Sequence, residues 1–300
     1  MIKINFSFNE DFLVRYKKNV ITDRLIPAFN IMVSEASGSD KARILEVFTN
    51  EFIQDLVLCD AKNLNEMIST IYDGFNELAE RYCLEYYLKD IVLDPNIVSM
   101  PIMKKSDRAL FKVIHDRVLS ELKSLSDERK SIYIPIIISK MEGTTASSEM
   151  KKQLTLINSM KLGKHVLSDD IKSQFPTWVT SFYKIFDYDA MSNAFGHEIT
   201  NEMDLNVCLY CNNEDIETIK KKGAESRPDL DHFFPRSKFP FLAVTLSNLI
   251  PAGKRCNQTY KKTHSMLDYI HPFIDGINQF RLDLLRKSLL KIYPVYQCSD

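Results

Sequence analysis

Three cysteines near the end of the chain place the strongest constraint on what it can fold into. Cys208 and Cys211 have the two-residue separation of a zinc knuckle, and Cys256 follows later in the chain. Thiolates at such spacing can bind one zinc ion and staple a small fold. The chain begins Met1-Ile-Lys-Ile-Asn, without the basic region and apolar run of a signal peptide. We therefore expect a cytoplasmic, reducing setting in which disulfides do not form.

Between these cysteines, four polar residues occur in an order that suits phosphodiester hydrolysis. Asp231 and His232 are adjacent, Asn248 follows, and Asn257 comes directly after Cys256. The reaction needs an activated water and a cation on the phosphoryl oxygen. A histidine can take the proton of that water near neutral pH, and a carboxylate is a hard ligand for a divalent metal. On a strand, Asp231 and His232 would point to opposite faces, so a twist at the strand end would have to bring both to one site.

This part of the chain resembles the HNH, or ββα-metal, endonuclease family. The resemblance lies in the strings Cys-Leu-Tyr-Cys-Asn, Asp-His-Phe-Phe-Pro-Arg-Ser-Lys, Ser-Asn-Leu-Ile-Pro and Cys-Asn-Gln, which occur in the family's order. It implies that His232 is the general base and that Asn248 orients His232 by hydrogen bonding. It also implies that Asp231 and Asn257 hold the catalytic metal. Because both ligands offer oxygen, Mg²⁺ or Mn²⁺ is expected at that centre rather than zinc.

The resemblance implies a structural zinc as well, but one ligand is missing. In related HNH proteins a second Cys-x-x-Cys completes the site, and here its first position is Gly253. His264 or His271 could substitute. The predicted ligand set is Cys208, Cys211, Cys256 and His264. Alternatively the zinc has been lost, and the three thiols pack together as small apolar side chains.

Basic residues are concentrated around His232, although the chain as a whole is nearly neutral. The full sequence carries 39 Lys and Arg and 40 Asp and Glu, a net charge of −1. Residues 232–264, by contrast, contain no acidic residue. The basic residues there are Arg236, Lys238, Lys254, Arg255, Lys261 and Lys262. We expect them to contact the phosphates of a nucleic acid, although a solvated helix face is the alternative for Lys261 and Lys262.

The first 200 residues are dominated by helical patterns. Glycine is scarce, with 8 in the whole chain, and apolar residues recur at helical spacing, for example over 40–58 and 63–87. A short strand is predicted at 1–8. No apolar run reaches transmembrane length. The expected fold is mainly α with a small α+β ββα-metal (HNH, treble-clef-like) nuclease core near the C-terminus.

Three segments are predicted from these patterns. Residues 1–200 would be a helical regulatory or partner-binding region, 201–268 the HNH nuclease core, and 269–300 a C-terminal helical extension. The predicted function is a metal-dependent endonuclease that acts on nucleic acid, with DNA favoured over RNA and no role for a membrane. A toxin-like RNase, such as a tRNA-cleaving enzyme, would use the same site. A non-catalytic binding module with a vestigial HNH site is the third alternative.

The resemblance extends to one group of HNH proteins in particular. The strings above, with His-Pro-Phe at 271–273, resemble the HNH subunit of Septu-type and retron-associated anti-phage defence systems. Such subunits act with an ATPase. This resemblance implies an ATPase partner and a role in antiviral defence, and it rests on family analogy alone.

Overall fold

The fold is mainly helical. The computed structural model describes residues 3, 4, 6–221 and 224–275. Its α-helices, in chain order, are α1 (Glu10–Tyr16), α2 (Ile26–Glu35), α3 (Gly38–Val47), α4 (Asn50–Leu58), α5 (Leu64–Gly74), α6 (Asn76–Tyr82), α7 (Leu84–Tyr87), α8 (Lys105–Arg129), α9 (Ile134–Met141), α10 (Ser147–Lys161), α11 (Asp169–Lys172), α12 (Thr177–Ile185) and α13 (Tyr188–Met203). A π-helical stretch, Lys17–Leu25, joins α1 to α2. The predicted mainly α class is confirmed.

The apolar periodicity of the sequence accounts for which helix faces are buried. In α8 the buried residues recur at intervals of three and four, as one stripe of a helix requires. They include Phe111, His115, Val118, Leu122 and Leu125. Long as it is, α8 is not apolar enough to cross a membrane, and neither is any other helix among the described residues.

One predicted helix is divided in two by a cap. The apolar spacing over 40–58 suggested one continuous helix, but α3 ends at Val47 and α4 begins at Asn50. Phe48 leaves the helical conformation, and the Thr49 hydroxyl accepts a hydrogen bond from the Phe52 amide at 3.1 Å. A threonine in this position satisfies an amide that the helix itself cannot pair, and so begins a new helix.

The chain divides into two compact units. One comprises the described parts of Met1–Ile68 and Ser181–Asp300, and the other is Ser69–Thr180. This division differs from the three segments drawn from the sequence, because the first 68 residues pack in the same unit as the cysteine and histidine motifs. Residues 276–300, most of the predicted C-terminal extension, lie outside the described residues, and 269–275 form turns. The described residues within 1–8 form no strand.

In Ser69–Thr180 a buried carboxylate begins a helix. Glu80 is 1% exposed, and its oxygens accept hydrogen bonds from the amides of Ile132, Tyr133 and Ile134 at 2.8–3.0 Å. These amides lie at the first turn of α9, where the backbone leaves donors unpaired and the helix dipole favours a negative charge. Glu80 thus uses both its oxygens within the fold.

In the other unit, aromatic side chains join the first helix to α13. The Tyr16 ring lies 5.2 Å from that of Phe195, and Phe12 lies 6.0 Å from the same ring. Both Phe12 and Tyr16 are fully buried. The hydroxyl of Tyr16 donates to the carbonyl of Val244 at 2.7 Å, so this helix also contacts the loop that follows the Asp-His pair.

The small β-structure lies near the end of the described chain. Strands β1 (Ile219–Lys221) and β2 (Ala224–Ser226) pair with each other, and β3 (Asp229–His232) pairs antiparallel with β4 (Leu249–Ala252). In the second pair Asp229 lies opposite Ala252, and His232 opposite Leu249. A π-helical segment, Arg255–Lys261, follows β4. The order is therefore two antiparallel strands and then a helical turn.

Candidate metal and catalytic site

The three cysteines meet at one point. Cys208 and Cys211 follow α13 in a turn, and Cys256 lies in the π-helical segment after β4. Their sulfur atoms all lie within 4.8 Å of one another, and this cluster can hold a metal ion. Zinc holds thiolates at about 2.3 Å in a tetrahedron, which places sulfurs roughly 3.8 Å apart. A small contraction of the cluster would therefore fit zinc.

Backbone amides oppose the effect of burial at two of the three sulfurs, those of Cys208 and Cys211. Burial raises the pKa of Cys208, while amides of Gly253, Cys211 and Tyr210 oppose that rise. At Cys211 burial also works to raise the pKa, but the amides of Glu214 and Asn213, together with the thiols of Cys256 and Cys208, outweigh it and the pKa is lowered. Amide hydrogen bonds favour the thiolate, which is the form that binds metal.

His264, the predicted fourth ligand, does not join the cysteines. It is exposed, and it lies outside the one group of His, Cys, Asp and Glu ligand atoms found among the described residues. His271 is buried beside Phe233, with ring centroids 4.3 Å apart, and is likewise outside that group.

His232 is buried and firmly oriented. Its Nε2 lies 2.9 Å from the carbonyl oxygen of Ala243, and its ring meets that of Tyr188 edge-on at 4.4 Å. A carbonyl oxygen only accepts, so the neutral ring carries its proton on Nε2 and presents a lone pair on Nδ1. Burial lowers the pKa of His232 to about 3, with the Ala243 bond opposing this. The imidazole is therefore neutral around pH 7.

The loop that orients His232 is itself anchored by helices from the start of the chain. Beside Ala243, the Val244 carbonyl accepts from the Tyr16 hydroxyl at 2.7 Å. The Thr245 hydroxyl donates to the carbonyl of Leu56, at the end of α4, at 2.9 Å. Two neighbours of the carbonyl that fixes His232 are thus held by residues 1–68.

Asn248 supports the same loop, but its hydrogen bonds are with the backbone rather than with the imidazole. It is fully buried; its Oδ1 accepts from the Phe234 amide at 2.8 Å, and its Nδ2 donates to the carbonyls of Phe234 and Leu242 at 3.0 Å. Leu242 immediately precedes Ala243. Asn248 therefore positions His232 through the loop, whereas the resemblance implied a hydrogen bond between them.

Asp231 is engaged by residues that the sequence analysis did not assign to it. Its Oδ2 accepts from the Tyr210 hydroxyl at 2.6 Å and lies 3.1 Å from Nζ of Lys261. Lys261 also donates to the other oxygen of Asp231 at 3.2 Å and to the His232 carbonyl at 2.6 Å. Burial raises the pKa of Asp231 and lowers that of Lys261, and the attraction between them opposes both shifts.

This pairing explains why Lys261 is not at the surface. Lys261 is one of the residues expected to contact phosphate, but its side chain is 1% exposed. A buried carboxylate needs a compensating charge and hydrogen bonds, and Lys261 supplies both. Lys254, Arg255 and Lys262 are exposed, and Lys238 is half-exposed.

Arg236 is half-exposed and held close to His232. Its guanidinium lies over the rings of Tyr188 and Tyr183, 5.2 and 5.5 Å from their centroids, and 3.2 Å from Asp189. Tyr188 therefore touches both Arg236 and His232. This places one positive charge next to the histidine, with its edge still open to solvent.

Asn257 faces Asp229 rather than Asp231. Its Nδ2 donates to Oδ2 of Asp229 at 3.2 Å, and Gln258 donates to the same oxygen at 2.9 Å. Asp229 is half-buried, while Asp231 and His232 are buried. Burial and, to a smaller extent, the charge of Asp229 raise the pKa of Tyr188, which connects Asp229 to the residue that packs on His232.

Three residues near the site were missed in the sequence: Asp229, Tyr188 and Tyr210. Asp229 had a detectable signal, because it lies two positions before Asp231 and so shares its side of a strand. Tyr188 and Tyr210 had none, because their roles arise from contacts across many residues. Comparisons with models of known families, with curated proteins and with solved structures found no match.

Proposed function

We propose that this chain is a metal-dependent HNH endonuclease that hydrolyses phosphodiester bonds of nucleic acid. The observation that supports it most is the geometry of His232. A buried imidazole whose Nε2 is fixed by the Ala243 carbonyl presents its Nδ1 lone pair in one direction. Among the described residues nothing hydrogen-bonds to that nitrogen, so it can accept the proton of an attacking water.

The neutral state of His232 suits that role. A general base must be unprotonated when the water arrives, and a pKa of about 3 in the free protein keeps it so at all ordinary pH values. Phosphate and the negative charge of the reacting centre would raise this pKa, which strengthens the base when substrate is bound.

The residues that fit a hard divalent cation are Asp229 and Asn257. They lie in contact, they offer oxygen atoms, and Asp229 is only half-buried. Asp231 fits less well, because Tyr210 and Lys261 already occupy its oxygens. Mg²⁺ or Mn²⁺ held there would stabilise charge on the phosphoryl and leaving oxygens.

The exposed basic residues would contact the substrate backbone. Lys254, Arg255, Lys262 and the half-exposed Lys238 follow or flank the strands of the site, and Arg236 stands beside the histidine. Contacts of this kind bind phosphate without reading sequence, and they weaken as salt rises. DNA is the favoured substrate. An ATPase partner and a role in antiviral defence are proposed on the family resemblance alone.

Cleavage assays on four substrates test the proposal. Purified protein is incubated with supercoiled plasmid, linear duplex DNA, single-stranded DNA and total tRNA, in Mg²⁺ or Mn²⁺ and with EDTA. We expect metal-dependent cleavage of DNA that falls by about 10²–10⁴-fold in His232→Ala. His165→Ala is the matched control and should cut like the wild type. Cleavage of tRNA alone would favour the RNase alternative. Binding without cleavage, unchanged by His232→Ala, would favour the vestigial module.

Two aspartate variants assign the metal ligand. Asp229→Asn should abolish cleavage and leave stability nearly unchanged, because the residue is half-buried and its contacts are with neutral amides. Asp231→Asn should mainly lower stability, because Asp231 is the buried partner of Lys261. The opposite pattern, with Asp229→Asn fully active and Asp231→Asn folded but inactive, would return the metal to Asp231, as the family resemblance implied.

A further inference from the structure

The position of the missing cysteine is filled by another side chain. Gly253 lies three residues before Cys256, where a second knuckle would have its first thiol. A Cβ built on Gly253 would come within 3.0 Å of both oxygens and the carboxyl carbon of Glu214, closer than real Cβ atoms approach. The carboxyl group of Glu214 therefore occupies the space that a cysteine at 253 would need.

Glu214 belongs to the same turn as the two knuckle cysteines. Its carbonyl accepts from the Cys208 amide at 2.9 Å, and its amide donates to the Cys211 sulfur at 3.4 Å. The carboxyl group of Glu214 thus lies against the backbone of Gly253.

The Glu214 carboxyl group also has an unused oxygen. Its Oε2 is buried and has no hydrogen-bond partner among the described residues. A buried carboxylate oxygen without a partner is unfavourable, because it has lost its hydration and gained nothing in exchange. This oxygen belongs to the turn that carries Cys208 and Cys211, and its lone pairs can bind a cation.

We propose that Glu214 is the fourth ligand of a zinc site completed by Cys208, Cys211 and Cys256. Zinc accepts carboxylate oxygen as well as thiolate sulfur, and its structural sites have four ligands. Glu214 is not in the group of ligand atoms within 4.8 Å of one another, so its carboxyl group turns toward the sulfurs when the ion binds. His264 is the poorer candidate, since it is exposed, whereas Oε2 of Glu214 is buried and lies in the knuckle turn.

This site has a structural consequence for the rest of the segment. The ion would join the 208–214 turn to the backbone at 253–256, and Asn257 follows directly. Zinc binds thiolate sulfur more tightly than the harder carboxylate oxygen. We therefore expect this site to hold zinc less tightly than four cysteines would. Zinc binding should therefore stabilise the end of β4 whether or not the chain cleaves nucleic acid.

Metal binding of the purified, reduced protein tests the assignment. Zinc content is measured by elemental analysis, and affinity by competition with a chromogenic chelator. We expect ~1 zinc per wild-type chain and a loss of affinity of at least about tenfold in Glu214→Gln. Glu217→Gln, an exposed glutamate in the same segment, is the matched charge control. It and His264→Ala should bind zinc like the wild type.

A compensating pair of substitutions distinguishes zinc loss caused by a missing ligand from zinc loss caused by misfolding. Glu214→Ala alone should bind zinc poorly, because it loses the fourth ligand, and it also clears the space that a Cβ at position 253 needs. Gly253→Cys combined with Glu214→Ala should recover zinc, and its cobalt form should show a thiolate-to-metal absorption about one third stronger, for four thiolates instead of three. Wild-type zinc affinity in Glu214→Gln, zinc loss in His264→Ala, or a wild-type chain that binds no zinc would each overturn the proposal.

Discussion

Buried carboxylate oxygens in two regions of this protein differ in the hydrogen bonds that they accept. In Ser69–Thr180 the carboxylate of Glu80 is saturated by three backbone amides at the start of α9. In the 208–261 segment, Glu214 keeps a buried oxygen without a partner among the described residues, and the Asp229 carboxylate accepts from the neutral amides of Asn257 and Gln258. Buried polar groups whose bonding capacity is used up serve the fold, whereas unused capacity indicates a ligand. On this measure Glu214 is a better candidate for a metal ligand than Glu80.

Asp231 is the exception within the second region, because its oxygens are paired like those of Glu80, but with the side chains of Lys261 and Tyr210 instead of the backbone. Removing one partner of a buried ion pair leaves the other charge uncompensated. We therefore expect Lys261→Met to lower the free energy of unfolding by about 3–5 kcal/mol, measured by urea denaturation.

The neighbouring lysine supplies the control for that substitution. Lys262 is exposed, so Lys262→Met should change stability by no more than about 0.5 kcal/mol. Asp231→Asn combined with Lys261→Met should regain much of the lost stability, since neither charge remains. Equal stabilities of the two single lysine variants would mean that the buried pair does not support this region.

Acid should weaken the region of the site through its histidines. Burial lowers the pKa of both His232 and His271 to about 3. The unfolded chain binds protons at these residues near pH 6.5, so between pH 6.5 and 3 it holds more protons than the folded chain, and stability falls as pH falls. From pH 7 to 5 each histidine should remove about 2 kcal/mol, or roughly 4 kcal/mol together.

The measurement is a series of urea denaturations from pH 7 to 5. His271→Asn should remove about half of this pH dependence, because it eliminates one of the two titrating groups. His264→Asn, at an exposed position, should leave it unchanged. A flat profile in the wild type would show that both imidazoles accept protons in the folded state at ordinary pH.

Glu80→Ala tests the carboxylate whose two oxygens are both hydrogen-bonded within the fold. It leaves three amides at the start of α9 unpaired, and we expect a loss of about 2–3 kcal/mol. The single tryptophan, Trp178, is buried against Phe75 in the same unit, so its fluorescence follows the unfolding. Glu128→Ala, at an exposed position, should be neutral. Zinc content should not change in either variant, and a loss of zinc in Glu80→Ala would remove the contrast with Glu214.

Part of this arrangement could be predicted from the sequence. Helical apolar spacing predicted the mainly α fold, and the cysteine spacing predicted a cluster that the structure brings together. Both signals are local or consist of residue types with few alternative uses. The roles assigned to His232, Asn248 and Asn257 remain predictions.

Other features depend on distant contacts that no local pattern encodes. The burial of Lys261 follows from its pairing with Asp231, 30 residues earlier in the chain. The Glu214 carboxyl group lies at Gly253 because two separate turns meet. The division into units could not be predicted from the sequence either, since it depends on contacts such as that between Tyr16 and Val244, 228 residues apart. A sequence can show what a residue is able to do, but these partners are known only once the chain is folded.

The smallest expected effect concerns the hydroxyl of Tyr16, which tests whether residues 1–68 serve the site. Tyr16→Phe removes one hydrogen bond to the Val244 carbonyl, next to the carbonyl that fixes His232, and should lower stability by about 1 kcal/mol. Tyr82→Phe is its counterpart in the other unit, where the hydroxyl donates to the Val179 carbonyl at 2.9 Å, and should lower stability by a similar amount. Only Tyr16→Phe should slow cleavage, because a loop that is less well held misplaces the base, and an effect of about tenfold on kcat with little change in KM is expected. Equal cleavage rates in both variants, with equal stability losses, would show that the N-terminal helices support the fold of this unit but do not position His232.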